Sequence, residues 1–190
     1  IHNQPSHERA LQALEWAAER AEHKGSGPPP LVGPEDYRVA IESYRADTRA
    51  LLDRLMMAPD AEDGLDALLE CGALAALLPP VQSLVGFGDD EWRHKDVWKH
   101  TKQVVRQATP KLEVRWAALL HDIGKVKTRS ITADGKVHFH GHAEVGARMF
   151  DKMERRVTLF ADDEALQSTI RFLILHHLRA SQYSRSWTDS

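Results

Sequence analysis

The sequence lacks the features of a disulfide-bonded or membrane-spanning protein. It contains one cysteine among 190 residues, so it cannot form an internal disulfide, and this favours a reducing compartment. No apolar run approaches the roughly 18 residues that a membrane-spanning helix needs, and no signal peptide opens the chain. We therefore expect a cytoplasmic protein without a membrane partner. Cys71 is expected to be a small core residue.

Basic residues are absent from one region and concentrated in the next. Residues 59–91 contain eight acidic side chains and no lysine or arginine. Residues 95–129 contain nine basic and three acidic side chains, a balance of +6. A positive field there would attract a phosphorylated substrate. For four of these cations we favour the alternative that they only solvate helix faces: Lys99, Lys102, Arg106 and Lys111.

An apolar run ends in the doublet His121-Asp122, which is followed by Gly124 and Lys125. An imidazole nitrogen and a carboxylate oxygen together suit a divalent transition metal. Adjacent residues within a helix point about 100° apart, so they share an ion only where the helix ends. We expect Gly124 to supply that end. The alternative is a surface His-Asp pair at a helix C-terminus.

Helical spacing of apolar residues covers most of the chain, with one interruption near its start. A first helix is predicted over residues 6–24, with Ser6 as its N-cap. The glycine- and proline-rich stretch that follows is expected to be a linker. We divide the chain into a helical appendage (1–24), a linker (25–34) and a main domain (35–190). The main domain is expected to begin with one continuous helix from Pro34 to Met57.

The histidines of the main domain fall at the ends or buried faces of predicted helices. His100 shares the apolar face of a helix over residues 96–107, where a lone histidine is more often a core residue than a ligand. His142 lies in the first turn of a later helix. His177 ends the buried stripe of the last helix. His176 lies about 100° away from that stripe and is expected to pack against neighbours or to hold a ligand in place.

Between the doublet and His142 the pattern changes to strand-like alternation. The runs 129–132 and 136–140 flank Asp134-Gly135, and Asp-Gly between such runs indicates a hairpin. His138 and His140 would share one face of this ribbon. We expect neither of them to bind a metal.

The order of these motifs resembles the HD superfamily of metal-dependent phosphohydrolases, and within it the HD domain of bacterial tRNA nucleotidyltransferases and poly(A)-polymerase-like proteins. The similarity extends over about residues 94–189. Its matching segments are residues 94–101 (HKDVWKHT), 117–125 (AALLHDIGK), 141–147 (GHAEVGA) and 177–179 (HLR), with Trp187-Thr188-Asp189 similar to the start of a further segment. The resemblance implies an all-α helical bundle with a small β-hairpin.

The resemblance also implies a metal site and a reaction. The metal ligands would be His100, His121, Asp122, His142, His177 and Asp189. We expect two divalent ions, drawn from Mn, Ni, Co, Fe, Mg or Zn, because Asp122 can bridge them and two further buried imidazoles need a partner. The reaction would be phosphoester hydrolysis, with Asp122 at its centre and with Lys125 and Arg179 contacting phosphate.

The expected substrate is an RNA end or a nucleotide, including a 2′,3′-cyclic phosphate. The relatives that the resemblance points to carry a nucleotidyltransferase head, and this sequence has no paired strand carboxylates of that kind. Nucleotide addition is therefore not expected of this chain. Two alternatives stay open: a di-iron oxygenase of the HD type, and a metal-containing module of a larger RNA-processing enzyme.

Overall fold

The computed structural model describes residues 4–88 and 96–177, and helices dominate both ranges. The predicted all-α class with one small hairpin is confirmed. None of the described helices is long and apolar enough to cross a membrane. The elements are α1 (Ser6–Ala21), α2 (Pro34–Ser43), α3 (Arg45–Met57), α4 (Ala61–Glu70), α5 (Ala73–Leu77), α6 (Pro79–Gln82), α7 (Val97–Gln107), α8 (Leu112–Leu120), α9 (Lys125–Thr128), β1 (Ser130–Ile131), β2 (Val137–His138), α10 (His142–Val157) and α11 (Glu164–Leu175).

Helix α1 packs against α2, α3 and α4 and shares one hydrophobic core with them. Its buried face consists mostly of alanine, which lets the helices approach closely: Ala10, Ala13, Leu14, Ala17, Ala18 and Ala21. The prediction of Ser6 as N-cap is wrong, because Pro5 holds that position and Ser6 is the first helical residue. The helix also ends at Ala21, before His23 turns to a left-handed φ of 57°. The division into appendage, linker and main domain stays a prediction.

The long helix predicted from Pro34 to Met57 is two helices. Tyr44 leaves the helical conformation (φ −138°, ψ 41°) between α2 and α3, and its ring stacks on the ring of His7 with centroids 3.9 Å apart. Thr48 donates from its side chain to the Tyr44 carbonyl at 2.9 Å. Apolar periodicity runs through this break, so the sequence pattern did not reveal it.

The acidic and basic regions of the sequence meet where α4 packs against α7. The Lys102 ammonium lies 2.6 Å from a carboxylate oxygen of Asp66, and the Arg106 guanidinium lies 3.3 Å from Glu62. These two cations therefore pair on a helix surface, and only part of the local positive balance is available to a substrate. Asp96 caps α7 by accepting from the Lys99 backbone N–H, at 3.1 Å.

Helix α8 lies at the centre of the second range, between α7, α11 and α3. Its residues from Arg115 to Leu120 are all buried. The Trp116 ring meets Phe160 edge-on at 5.1 Å, and its Nε1–H donates to Asp53 at 2.7 Å. These contacts hold the middle of α8 in place, and the His-Asp doublet follows its last residue. The antiparallel hairpin β1–β2 pairs Ser130 with His138.

Candidate metal centre

The doublet lies in the turn that links α8 to α9, and both side chains are fully buried. His121 Nε2 lies 3.1 Å from Asp122 Oδ2, so the two adjacent residues converge as expected at a helix end. The expected role of Gly124 is wrong, because its φ of −69° is right-handed and does not form a left-handed cap. A β-carbon on Gly124 would overlap the His142 carbonyl and lie 2.7 Å from the Gly146 nitrogen. The glycine therefore lets α10 approach the doublet.

Five of the predicted ligands come together around this turn. The His–Asp cluster consists of His100, His121, Asp122, His142 and His177. Its ligand atoms form two triads, each with atoms within 4.8 Å of one another: His100 with the doublet, and Asp122 with His142 and His177. Asp122 belongs to both triads. Four helices therefore contribute to one group, through α7, the end of α8, the start of α10 and the end of α11. His121, Asp122 and His177 are buried, and His100 and His142 are partly buried.

Backbone carbonyls orient three of these imidazoles. His121, His142 and His177 each direct Nδ1 at the carbonyl of the residue three positions earlier. Those carbonyls belong to Ala118, Phe139 and Ile174, at 2.5, 3.0 and 2.8 Å. Because a carbonyl only accepts, each Nδ1 donates, and the lone pair of each neutral ring is then at Nε2. This is the arrangement that prepares a histidine to bind a metal.

The Nε2 atoms point into the cluster. His142 Nε2 lies 3.0 Å from His177 Nε2 and 3.6 Å from Asp122 Oδ1. Three electron-pair donors this close require a cation or a proton among them. Imidazole nitrogen with a shared carboxylate is a donor set that suits Mn, Fe, Co, Ni or Zn. The residues present therefore fit a divalent ion.

Lys125, the first residue of α9, is buried beside the doublet. Its ammonium lies 3.4 Å from Asp122 Oδ2 and 5.1 Å from the ring centre of Phe139. The positive charge therefore acts on the shared carboxylate, on the oxygen that faces His121. The contact with phosphate stays a prediction, and Lys125 lines the cleft beside the cluster.

An open cleft of about 870 Å³ lies next to the cluster, between the hairpin and the ends of α10 and α11. His138 and His140 stack on each other at 5.0 Å along this cleft. His142 and His176 also line it, and His176 packs on Phe172 at 4.5 Å, in line with its predicted packing role. The cleft therefore borders the cluster at His142 and Lys125.

Two predicted site residues, Arg179 and Asp189, lie outside the described residues. Two features of the site were missed in the sequence. One is the contact of Gly124 with α10, for which the glycines at 124 and 146 were the available signal. The other is Phe139, which supports Lys125 with its ring and His142 with its carbonyl.

The comparisons with known proteins agree with this geometry. Residues 97–187 match the family model of the HD domain. This segment therefore resembles an HD domain. The range includes all five residues of the His–Asp cluster, and the resemblance to the HD superfamily is confirmed.

The chain is also similar to part of several tRNA nucleotidyltransferases. The chain is 39% identical to the CC-adding tRNA nucleotidyltransferase of Thermus thermophilus over 104 residues, 52% of this chain and 24% of that protein. It is 34% identical to the A-adding tRNA nucleotidyltransferase of Deinococcus radiodurans over 114 residues, which are 57% of this chain and 26% of that protein. It is 34% identical to a Multifunctional CCA protein of Pseudomonas paraeruginosa over 134 residues, which are 68% of this chain and 32% of that protein. The chain thus spans about a quarter to a third of these relatives.

Proposed function

We propose that the protein is a metal-dependent phosphohydrolase that acts on phosphoesters of nucleotides or RNA ends, including 2′,3′-cyclic phosphates. The observation that carries this proposal is the position of Asp122. Its two oxygens face different histidines, Oδ2 toward His121 and Oδ1 toward His142. A carboxylate placed between two sets of imidazoles is suited to hold two cations side by side.

Two ions are supported further by the separations within the second triad. Adjacent ligands on an octahedral ion with bonds of about 2.1 Å lie about 3.0 Å apart. The His142 and His177 Nε2 atoms lie 3.0 Å apart. The first triad would hold one ion through His100 and His121, the second would hold another through His142 and His177, and Asp122 would serve both. Asp189 stays a further proposed ligand.

The bound metals would supply hydroxide from water near neutral pH and neutralise charge on the phosphate oxygens. The chain's own residues then bind and orient the ester. The Lys125 ammonium, held between Asp122 and the Phe139 ring, is placed to stabilise charge that develops on a phosphate oxygen. The burial of His121 and Asp122 excludes bulk water from the cluster, and this strengthens each electrostatic contact. Arg179 stays proposed as a second phosphate contact.

The substrate class is supported by the relatives and by the cleft. Two similar proteins are named tRNA nucleotidyltransferases, and this supports an RNA end as the substrate. The cleft beside the cluster is open, so the end of a long chain could enter as readily as a free nucleotide. Imidazoles of His138 and His140 along its wall offer hydrogen bonds to a ribose or a phosphate.

The proposal is tested by assaying the metal-loaded protein on a phosphomonoester, a linear phosphodiester and 2′,3′-cyclic AMP, with each candidate metal in turn. We expect metal-dependent release of product from at least one of these esters. His177→Ala should lose metal and turnover, whereas His176→Ala, one residue away, should keep its metal. No turnover on any ester by protein that holds two metal ions per chain would refute a phosphohydrolase.

A second candidate function is a metal-containing module of a larger RNA enzyme. It is favoured by the length of the match, since the chain spans only about a quarter to a third of relatives that are tRNA nucleotidyltransferases. In that case the metals would stabilise the fold and no ester would be cleaved. The same assay separates the two functions.

A further inference from the structure

A second cavity, of about 500 Å³, lies between α2, α5, α6, α9 and α10. We call it the basic groove. Lys127 of α9 lines it, whereas Lys125 of the same helix faces the His–Asp cluster. Residues two positions apart on a helix point in nearly opposite directions. The groove is therefore separate from the cleft that leads to the cluster.

The chemistry of the groove is divided between its floor and its rim. The floor is apolar and includes Ile41, Leu77, Met149 and Met153. The rim carries four exposed cations from three helices: Arg38 of α2, Lys127 of α9, and Lys152 and Arg156 of α10. No carboxylate of the described residues lines this cavity. Four exposed cations around one cavity create a positive field that favours an anionic ligand.

We propose that the basic groove binds a nucleotide, with its phosphate at the cationic rim and its base on the methionine floor. Among the named floor residues, Met149 is partly exposed, whereas Ile41, Leu77 and Met153 are buried beneath the surface. A bare phosphate would leave the Met149 side chain open to water, and a purely apolar ligand would leave the cationic rim unused. Methionine sulfur packs favourably against aromatic rings, so Met149 suits the face of a base. A cavity of about 500 Å³ has the size of small-molecule sites, which span about 300–1,000 Å³.

The nucleotide could be a free mononucleotide or one unit of an RNA strand. Both present the same base and phosphate to the groove. The proposal does not depend on metals or on hydrolysis, because none of the residues that it uses belongs to the His–Asp cluster.

The test titrates two probes, AMP by calorimetry and a 5′-phosphorylated twelve-nucleotide oligoadenylate by fluorescence anisotropy, into the full chain. The double variant Lys152→Glu/Arg156→Glu should weaken binding by about tenfold or more, because two phosphate contacts become repulsive. The matched control is Arg148→Glu/Arg155→Glu, which makes the same charge change on exposed residues of α10 that do not line the groove. The control should change affinity less than about twofold. Thermal melting checks that both variants are folded.

Ribose 5-phosphate should bind about tenfold more weakly than AMP if the base rests on the floor. Oligoadenylate tighter than AMP by about a hundredfold would identify an RNA strand as the source, and similar affinities would identify a free nucleotide. Equal losses in the two double variants, or no binding of either probe, would overturn the proposal. Both titrations are repeated after EDTA treatment, which removes any metal from the His–Asp cluster, and the affinities should not change. A failure of the proposed hydrolysis can therefore be told apart from a failure of the groove.

Discussion

Helices α1–α4 and helices α7–α11 both bury charged side chains, but only the second region also brings several polar side chains together in one cluster. In the first region Asp36 accepts from Arg9 at 2.8 Å and from the Gly33 backbone N–H at 3.0 Å. The Arg9 hydrogen bond is the main reason that the pKa of Asp36 is lowered to about 2. The hydrogen bonds of this carboxylate therefore join parts of the fold, and the group has a structural role.

In the second region two isolated buried charges follow the same rule. Arg115 donates to the carbonyls of Ala108 and Met56, both at 3.1 Å, and burial lowers the pKa of its guanidinium. Glu154 accepts from two backbone N–H groups, and burial raises the pKa of its carboxyl group. The His–Asp cluster differs, because its side chains converge on one another.

The difference separates structural polar groups from candidate functional ones. Elsewhere in the described residues a buried charge is paired with backbone or with one opposite charge. In the cluster, backbone carbonyls hold the outer nitrogens of three imidazoles and turn the inner nitrogens toward Asp122. A fold that needed only stability would fill this space with apolar side chains at similar or lower free energy. The candidate metal centre is therefore distinguished by side chains that point toward one another, and not by burial alone.

The largest expected effect comes from removing the shared carboxylate. Asp122→Ala should abolish hydrolysis and reduce bound metal from two equivalents to none, because both triads lose a ligand. The helical circular dichroism should persist, since the change removes no apolar side chain from the core. Metal content by mass spectrometry and the rate on the best ester are the measurements. A rate within a few-fold of that of the unchanged protein, with metal present, would contradict the claim that the His–Asp cluster is functional and the other buried charges are structural.

The next effect concerns Lys125, which lies beside the cluster without being one of its ligands. Lys125→Ala should slow turnover by about ten- to a thousandfold through loss of charge stabilisation at phosphate. Metal content should stay the same. Lys111→Ala, which removes an exposed lysine ahead of α8, is the control and should leave the rate unchanged. If the variant loses metal but keeps its rate per bound metal, Lys125 only neutralises the charge of Asp122 and does not act on phosphate.

Two glycines at the same contact offer a sharper comparison. Gly124→Ala should lower the free energy of unfolding by about 3 kcal/mol and reduce metal affinity, because the new methyl group forces α10 and His142 away from the doublet. Gly146→Ala should be neutral or stabilising by up to about 1 kcal/mol, since its β-carbon would meet only ordinary contacts of 3.5 Å or more. Chemical denaturation of both variants measures the difference. Similar losses for the two would contradict this account of the close approach.

The smallest expected effect is in the first region. Asp36→Asn should destabilise the protein at pH 7 by about 1 kcal/mol, a modest value because Arg9 is partly exposed. The pKa of Asp36 is lower in the folded state, so its contribution is complete above about pH 4 and is lost as the pH falls toward 2. Urea denaturation from pH 7 to pH 2.5 measures it, with Asp47→Asn as an exposed control. If the difference in the free energy of unfolding between the unchanged protein and Asp36→Asn does not shrink on acidification, the ion pair with Arg9 is contradicted.

The sequence predicted the fold class, the hairpin and the five residues of the cluster because each leaves a periodic or local signal. His100 and His177 stand out since they are polar residues on apolar helix faces. The break at Tyr44 left no such signal, because the helical period continues across it and the stacking on His7 depends on tertiary contact. The role of Gly124 was missed for the same reason, since its neighbour in space is 18 or more residues away in the chain.

The central claim is that Asp122 lies between two metal ions. Crystals grown with Mn²⁺ and measured for anomalous scattering test it most directly. The account predicts two peaks about 3.5–4 Å apart, one near His100 and His121 and the other near His142 and His177, with Asp122 between them. A single peak in metal-replete crystals, with a proton shared between the Nε2 atoms of His142 and His177, would contradict it.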